Sequence, residues 1–349
     1  MKSDRQIITL GDACSRLSSG KGINSRNITA TGSYPVYGGN GLRGYTNIPN
    51  FEGECAIIGR QGAFCGNVRY FQGTAYMTEH AVVAIATSSH NTRYLAYLLS
   101  TMNLGRLSGQ SAQPGLSVKT LSKQVIELPS KEEQDKIAAL LSALDDKIEL
   151  NNRINENLAQ QSQVLFDEFC TTTIWPISSL SKIATIKYGK GLPTKNLLQS
   201  GYPVFGGNGI IGYYSKYLYN DPQILISCRG AASGNIIISY PQSFVTNNSL
   251  VLELNDYRYF HFVKQYLLEN PLYSYATGSA QPQITIDNIK DVAIPYPKLD
   301  EIAHLVDQLS AISNFCYHNL CEIDRLATIR DTILPKLMTG ELDVSSLDI

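Results

Sequence analysis

The feature that most constrains the fold of this chain is an internal repeat with a period of about 168 residues. The stretch YPVYGGNG at Tyr34–Gly41 returns as YPVFGGNG at Tyr202–Gly209 with one change. Four further pairs occur in the same order in both copies. GKG at 20–22 matches 189–191, and GRQGAFCGN at 59–67 matches CRGAASGN at 228–235, which has one residue fewer. GQSAQP ending at Pro114 matches TGSAQP ending at Pro282, and IELP matches IPYP. Solenoid repeats are only 20–50 residues long, so this period predicts a duplicated domain.

Each copy is followed by a segment with a heptad pattern, which predicts a long helix. Ser130 is a candidate N-cap for the first helix, with Glu133 three residues later as in a capping box. The first seam is Ile137, Leu141, Leu144, Ile148, Asn151, Asn155, Leu158 and Leu165, and the second is Leu305, Leu309, Ile312, Cys316, Asn319, Ile323, Leu326, Arg330, Ile333 and Leu337. We predict that the helices pair with each other, with Asn151 and Asn319 fixing the register. The alternative is two amphipathic helices that pack on any apolar surface.

The segments before the helices have the composition of short strands separated by Gly, Asn and Pro turns. Six runs read as strands (ECAIIG, NVRYF, HAVVAIA, QILIS, NIIISY and SLVLEL), and NTRYLAYLLSTM and DYRYFHFVKQYLLEN read as short helices. The predicted fold is α+β, with two tandem β-rich domains and an antiparallel coiled coil with pseudo-two-fold symmetry. The predicted segments are residues 1–130, 131–170, 171–298 and 299–349.

The net charge of −1 conceals a strong partition along the chain. Residues 1–130 hold 12 Lys and Arg against 6 Asp and Glu, and residues 171–298 hold 10 against 6. The helical segments are acidic, with 4 against 9 in residues 131–170 and 3 against 9 in residues 299–349. Such asymmetry indicates that the domains and the helices have different partners.

The composition favours a cytoplasmic protein with no membrane partner. No stretch approaches the ~18 consecutive apolar residues of a membrane span, and the first residues lack the apolar core of a secretory signal. The seven cysteines are scattered without C-x-x-C spacing, which favours a reducing compartment.

Two motifs raise the question of a cofactor or a metal. Gly39–Gly44 spells G-x-G-x-x-G, as does its second copy, but neither stretch is followed by a helix composition, so we predict turns between strands instead of a dinucleotide site. The CYHNLC cluster at Cys316–Cys321 lies in a predicted helix and lacks zinc-ligand spacing. The sequence predicts no catalytic residue, no metal and no cofactor for this chain.

The remaining chemistry is basic and amide-rich, and it lies in the glycine-rich loops. Lys and Arg can contact phosphates and guanine, while Asn can pair with adenine. The predicted DNA-binding residues of the first copy are Lys21, Arg26, Asn40, Arg43, Arg60, Asn67 and Arg69. Those of the second copy are Lys190, Lys195, Asn208, Lys216, Arg229 and Asn235, and Lys187 belongs to the same basic set. Lys21 with Lys190, and Arg60 with Arg229, are favoured because they are predicted to occupy the same places in the repeat.

On these motifs the chain resembles the specificity subunits of type I restriction–modification enzymes over essentially its whole length. The residues that carry the resemblance are the two YPV(Y/F)GGNG copies, the R-(Q)-G-A…G-N loop, SAQP, the LPSKEEQDKIAALLSALDDKIELNN helix and the ending IRDTILPKLMTGELDV at Ile329–Val344.

The resemblance implies a non-catalytic, DNA-binding subunit that reads a bipartite, asymmetric site with one domain per half-site. The partners implied are double-stranded DNA, two methyltransferase subunits and restriction subunits, with S-adenosylmethionine, ATP and Mg²⁺ bound by those partners. We further hypothesise that helix length sets the gap between half-sites, since Ile137–Leu165 spans about 42 Å as a helix. The alternative function is a coiled-coil scaffold with β-rich protein-binding domains and no DNA role.

Overall fold

The computed structural model describes residues 5–108, 115–171, 175–278 and 281–344. The chain forms two compact units, one made of Met1–Leu150 with Glu322–Ile349 and the other of Asn151–Cys321. The first SAQP motif and part of the second, at residues 109–114 and 279–280, lie outside the described residues. The division into four sequential segments stays a prediction.

The first unit places a two-stranded and a six-stranded sheet beside short helices. Its elements are β1 (Gln6–Thr9), α1 (Leu10–Ala13), β2 (Cys14–Ser19), β3 (Tyr34–Gly38), β4 (Gly41–Thr46), β5 (Phe51–Gly59), β6 (Val68–Met77), β7 (Ala81–Ala86), α2 (Thr92–Thr101), α3 (Val118–Ser122), β8 (Val125–Leu128) and the start of α4 (Lys131–Thr171). The strand orders are β1-β8 and β2-β7-β5-β6-β3-β4. The helix α2 buries Tyr94, Leu95 and Leu99 in the core.

The second unit repeats this element order. Its elements are the rest of α4, then β9 (Ile177–Ser179), α5 (Leu180–Ile183), β10 (Ala184–Tyr188), β11 (Tyr202–Gly206), β12 (Gly209–Tyr214), β13 (Ile224–Ser227), β14 (Ile236–Ile238), β15 (Phe244–Val245), β16 (Ser249–Leu254), α6 (Phe260–Glu269), α7 (Ile286–Ile289), β17 (Ala293–Pro295) and the start of α8 (Leu299–Thr339). The strand orders are β17-β9, β10-β16-β13-β14 and β12-β11-β15. The six strands and two short helices expected from the sequence are therefore confirmed.

One interruption distinguishes the two copies. In the first unit, β6 continues from its pairing with β5 to a parallel pairing with β3 at Tyr76 and Met77, which joins all six strands into one sheet. In the second unit the chain leaves the sheet after Ile238, and Gln242 takes a left-handed φ of 53° before pairing resumes at Phe244. Proline at position 241, which has no amide hydrogen to give to a ladder, lies within this break.

The two long helices run antiparallel within each unit, so the predicted α+β class with two β-rich domains and two paired long helices is confirmed. In the first unit, Arg330 donates to Asp145 at 2.9 Å, and Lys147 lies 3.5 Å from Glu322. In the second unit, Nδ2 of Asn319 donates to the side-chain oxygen Oδ1 of Asn155 at 2.9 Å. The start of α4 is capped as expected, because the Ser130 hydroxyl accepts from the Glu133 amide.

The predicted seam residues lie on the sheltered side of the helices. Seven are buried: Ile137, Leu141, Asn151, Leu305, Leu309, Asn319 and Leu337. The other eleven are half-buried: Leu144, Ile148, Asn155, Leu158, Leu165, Ile312, Cys316, Ile323, Leu326, Arg330 and Ile333. The role of Asn151 in the register stays a prediction, while Asn319 has a partner of its own in Asn155.

The Asn155–Asn319 pair permits a test of polar contacts in the seam. We expect Asn319→Leu to lower the free energy of unfolding by about 1–3 kcal/mol, because it leaves the side-chain oxygen Oδ1 of Asn155 without its hydrogen-bond donor. Replacing both residues by Leu restores or raises stability, since no unpaired polar group then remains. Urea denaturation of Asn319→Leu, Asn155→Leu and the double variant measures these free energies of unfolding. Equal losses in the single Asn319 variant and in the double variant would contradict it.

Candidate nucleic-acid interface

The repeated YPV(Y/F)GGNG stretch forms a tight hairpin between β3 and β4. Gly41 and Gly44 take φ values of 94° and 141°, which glycine adopts without strain. The pairing register jumps from Val36 opposite Gly44 to Tyr37 opposite Leu42, leaving Arg43 as the extra residue of a β-bulge. A strand and not a helix follows the glycines. The prediction of a turn between strands is therefore confirmed.

Three loops meet the β3–β4 turn at one end of the first unit. A Cβ placed on Gly39 would lie 3.0 Å from the His80 carbonyl oxygen, and one on Gly59 would lie 2.5 Å from the Gly39 carbonyl oxygen. The Lys21 amide donates to the Met77 carbonyl at 2.9 Å, which brings the loop after β2 to the same place. These contacts leave no room for larger side chains, so the loop positions are tightly defined.

Cationic side chains surround this turn in the first unit. A Cβ placed on Gly38 would lie 2.6 Å from Cδ of Arg43, and one on Gly41 would lie 3.0 Å from Cζ of Arg69. Burial raises the pKa of Tyr37, and the Arg69 guanidinium opposes that shift. The half-buried Arg60 begins the loop beside the turn, with its amide bonded to the His80 carbonyl at 3.0 Å. The structure thus brings the side chains of Arg43 and Arg69 and the backbone of Arg60 to this turn, while the Arg60 guanidinium donates to the Ser19 hydroxyl at 3.4 Å.

Three other predicted residues of the first unit are exposed. Arg26 is exposed on a short 3₁₀ turn, Ser25–Asn27, which the Asn24 side chain caps. Asn40 is exposed at the hairpin tip, and Asn67 is exposed at the end of the loop that begins with Arg60.

The second unit places its predicted residues on the corresponding loops. The Lys190 amide donates to the Val245 carbonyl at 2.9 Å, as Lys21 does to Met77. Lys195 lies on the 3₁₀ turn Thr194–Asn196, at the place of Arg26. Four residues complete the set: Asn208 at the hairpin tip, Lys216 after β12, the exposed Arg229, and Asn235, whose side chain accepts from the Tyr273 hydroxyl at 3.1 Å.

The predicted cations differ from most basic residues of the helices in having no acidic partner. Within residues 5–108, 115–171, 175–278 and 281–344, none of the nine predicted Lys and Arg residues forms an ion pair. Lys187, in contrast, lies 2.6 Å from the Glu253 carboxylate on the neighbouring strand. The charge of Lys187 is therefore balanced within the unit, which distinguishes it from the nine candidate cations.

The predicted equivalence of Arg60 and Arg229 is wrong. The Arg60 amide donates to the His80 carbonyl and its own carbonyl accepts from Leu116, and in the second unit Cys228 makes both of these bonds, with Asn248 and Ile284. Arg229 instead takes the place of Gln61. The loops have equal lengths, and aligning arginine with arginine introduced a gap that the backbone does not contain.

The two neighbouring residues of the second copy have opposite environments. Cys228 is 1% exposed, and burial raises the pKa of its thiol, with Arg229 acting in the opposite direction. Arg229, which is the next residue of the loop, is exposed to solvent.

The structure adds polar residues that the sequence did not single out. A cleft of about 500 Å³ in the first unit is lined by Asn67 and Arg69 together with Ser100, Thr101 and Asn103. These three come from the end of α2 and the residues after it, which are distant in sequence and carry no motif. Two exposed apolar residues at equivalent hairpin positions, Leu42 and Ile210, were also missed.

The part of the chain that the structure describes contains no cluster of metal-ligating side chains and no membrane-spanning helix. No group of three or more His, Cys, Asp or Glu side chains is placed to hold a metal there. Within the same residues, no helix combines the length and the apolar character needed to cross a membrane.

Comparison with known proteins identifies the family. The model of the type I restriction modification DNA specificity domain matches residues 2–160 and again residues 174–319. The chain belongs to this family. The two matched ranges coincide with the two copies of the repeat.

Individual members of the specificity family show similarity at different levels. The EcoprrI specificity subunit of Escherichia coli is 41% identical over 42% of this chain and 37% of its own length. The MjaIX specificity subunit of Methanocaldococcus jannaschii is 28% identical, and the match covers 88% of this chain and 86% of the relative. The crystal structure of a type I S subunit from M. genitalium shares the fold, with a TM-score of 0.71, 20% identity and 96% coverage of both chains.

Proposed function

We propose that this chain is the non-catalytic specificity subunit of a type I restriction–modification complex and reads a bipartite, asymmetric site in double-stranded DNA, with one unit per half-site. The observation that carries the proposal is the duplicated set of exposed, unpaired cations on corresponding loops, such as Lys21 and Lys190. Phosphate contacts of this kind supply affinity in protein–DNA complexes.

The acidic helices α4 and α8 would bind protein partners. Residues 131–170 hold 9 acidic against 4 basic residues, and residues 299–349 hold 9 against 3, so these segments would repel DNA. We propose that two methyltransferase subunits dock there and that restriction subunits join the complex.

The cofactors of the reaction belong, in this proposal, to the partner subunits. A pyrophosphate site needs glycines that open a helix, whereas Gly39–Gly44 lies in a hairpin. The residues of this chain therefore do not fit ATP or S-adenosylmethionine through that motif, and we assign these groups and Mg²⁺ to the methyltransferase and restriction subunits.

The proposed function is tested by producing the chain with its methyltransferase partner and sequencing the methylated genome of the host. We expect one methylated motif with two different half-sites separated by an unspecified gap. Loss of motif methylation when the specificity chain is omitted is the control. Methylation that is the same with and without the chain would favour the scaffold alternative.

A second measurement tests the phosphate contacts. We expect Lys190→Met to weaken binding to all DNA sequences and to reduce the slope of log K against log salt by about 1 in magnitude. Lys187→Met is the matched control, because Lys187 is three residues away and already paired with Glu253. The salt dependence is measured with the full chain in complex with its methyltransferase. Equal slopes for the two variants would remove Lys190 from the interface.

A further inference from the structure

The backbone hydrogen bonds establish which residues of the two units occupy the same place. Gly59 and Ser227 each end a strand, and their amides donate to the carbonyls of Asn67 and Asn235, respectively, which closes the loop that follows. From the hairpin to this loop the offset is 168 residues throughout. The candidate DNA-binding loops of the two units can therefore be compared residue by residue. Matching Arg60 with Arg229 in the sequence had prevented this, because it introduced a false gap.

Some positions carry the same chemistry in both units. Lys21 corresponds to Lys190 and Arg26 to Lys195, while two asparagines at the hairpin tip and the loop end are the same in each copy. Two domains that read different sequences still face the same phosphate backbone. Shared cations are thus expected to contact phosphates, which carry no sequence information.

Other positions change their chemistry completely. The arginines of the first unit at positions 43, 60 and 69 correspond to Ile211, Cys228 and Ile237. Cys228 is buried and Ile237 is half-buried against the unit's own core, so neither presents much surface. Ile211 is different, because 49% of it is exposed.

Arg43 and Ile211 occupy the same structural position in detail. Each is the extra residue of a β-bulge, with register jumps at Val36/Tyr37 and at Val204/Phe205. A Cβ placed on Gly38 would lie 2.6 Å from Cδ of Arg43, and one on the equivalent Gly206 would lie 2.8 Å from Cγ2 of Ile211. A bulge redirects one side chain away from the sheet ladder. The same device thus presents a guanidinium in one unit and an aliphatic group in the other.

These two side chains can read different bases. A guanidinium forms a bidentate pair with O6 and N7 of guanine, while an aliphatic side chain can only contact the C5 methyl group of thymine in the major groove. Resting on the proposed function, we propose that the bulge residue is a specificity-determining position: Arg43 reads a guanine in the half-site of the first unit, and Ile211 contacts a thymine methyl group in the half-site of the second.

The reciprocal variants Arg43→Ile and Ile211→Arg test this proposal in the full chain with its methyltransferase partner. For Arg43→Ile we expect one guanine of one half-site to become degenerate, with roughly 5- to 150-fold less discrimination at that base. The other half-site and the gap stay unchanged. Ile211→Arg alters a thymine position in the opposite half-site in favour of guanine. Melting temperatures close to that of the wild type confirm folding, since both residues are exposed.

A chemical substitution in the DNA provides an independent readout. Replacing the assigned thymine by uracil removes only the methyl group, and we expect wild-type affinity to fall roughly fourfold, the effect of one methyl group. The Ile211→Arg variant loses this sensitivity.

The outcomes separate this proposal from the proposed function. If the wild-type chain directs no bipartite methylation, the proposed function fails. If the wild-type motif is bipartite but Arg43→Ile leaves it unchanged, or lowers methylation equally at all sequences as a phosphate contact would, the bulge position does not determine specificity. Insensitivity of the wild type to uracil overturns the assignment of Ile211.

Discussion

Gly66→Ala is expected to unfold the loop between β5 and β6 in the first unit, residues 60–67, and to abolish reading of one half-site. A Cβ on Gly66 would lie 2.1 Å from the Gly105 amide nitrogen, and the residue has a φ of 88°. Both effects act together: the left-handed backbone disfavours any L side chain, and the colliding atoms are backbone atoms that cannot rotate away. We expect a loss of about 3–5 kcal/mol in the free energy of unfolding.

Gly62 in the same loop is a matched control. Its φ of 79° is similar, but a Cβ there would meet no atom within 4 Å. We expect Gly62→Ala to cost only about 1–2 kcal/mol, the backbone contribution alone. Urea denaturation of the full-length variants measures the difference in the free energy of unfolding. Methylome sequencing shows whether the methylated motif still contains the half-site of the second unit. If both alanine variants lose the same stability, the close approach to Gly105 has no energetic weight.

Lengthening both long helices by one heptad is expected to move the two half-sites apart and to abolish methylation of the original motif. The unit boundary passes between Leu150 and Asn151 in α4 and between Cys321 and Glu322 in α8, and the insertions belong there. Seven helical residues add about 10.5 Å, close to three base pairs. A whole heptad preserves the seam, so the antiparallel pairing is retained.

The expected methylome keeps both half-sites and lengthens only the gap, by about three base pairs. The control is a heptad in α4 alone, which shifts Asn155 away from Asn319 and is expected to lower methylation at every site. An unchanged gap in the doubly extended chain would refute the hypothesis that helix length sets the spacing.

Local patterns made much of the fold predictable. The heptads of α4 and α8, the N-cap at Ser130 and the alternation of β-branched runs with glycine turns depend on residues close in sequence, and all of these elements are present. The repeat added long-range information, because two copies of one sequence imply one fold twice. The interruption between β14 and β15, which contains Pro241, was not anticipated.

The candidate site was predictable in residue type more than in arrangement. The glycine-rich loops and their cations were found from composition and repetition. The convergence of Arg43 and Arg69 on the hairpin, the cleft beside Asn67 and the pairing of Lys187 with Glu253 depend on strands that are distant in sequence. Matching residues by side-chain identity gave a wrong equivalence between Arg60 and Arg229, because the backbone hydrogen bonds make Cys228 the counterpart of Arg60.

The sequence by itself determined the duplication, the α+β class and the two long helices, since each depends on periodicity that a linear pattern records. Only the tertiary structure decided which residues of the two copies are equivalent, because that is set by backbone hydrogen bonds and not by side-chain identity. It placed an arginine and an isoleucine on the same β-bulge at Arg43 and Ile211. A bulge is a shift in pairing between strands, and pairing exists only once the strands have come together.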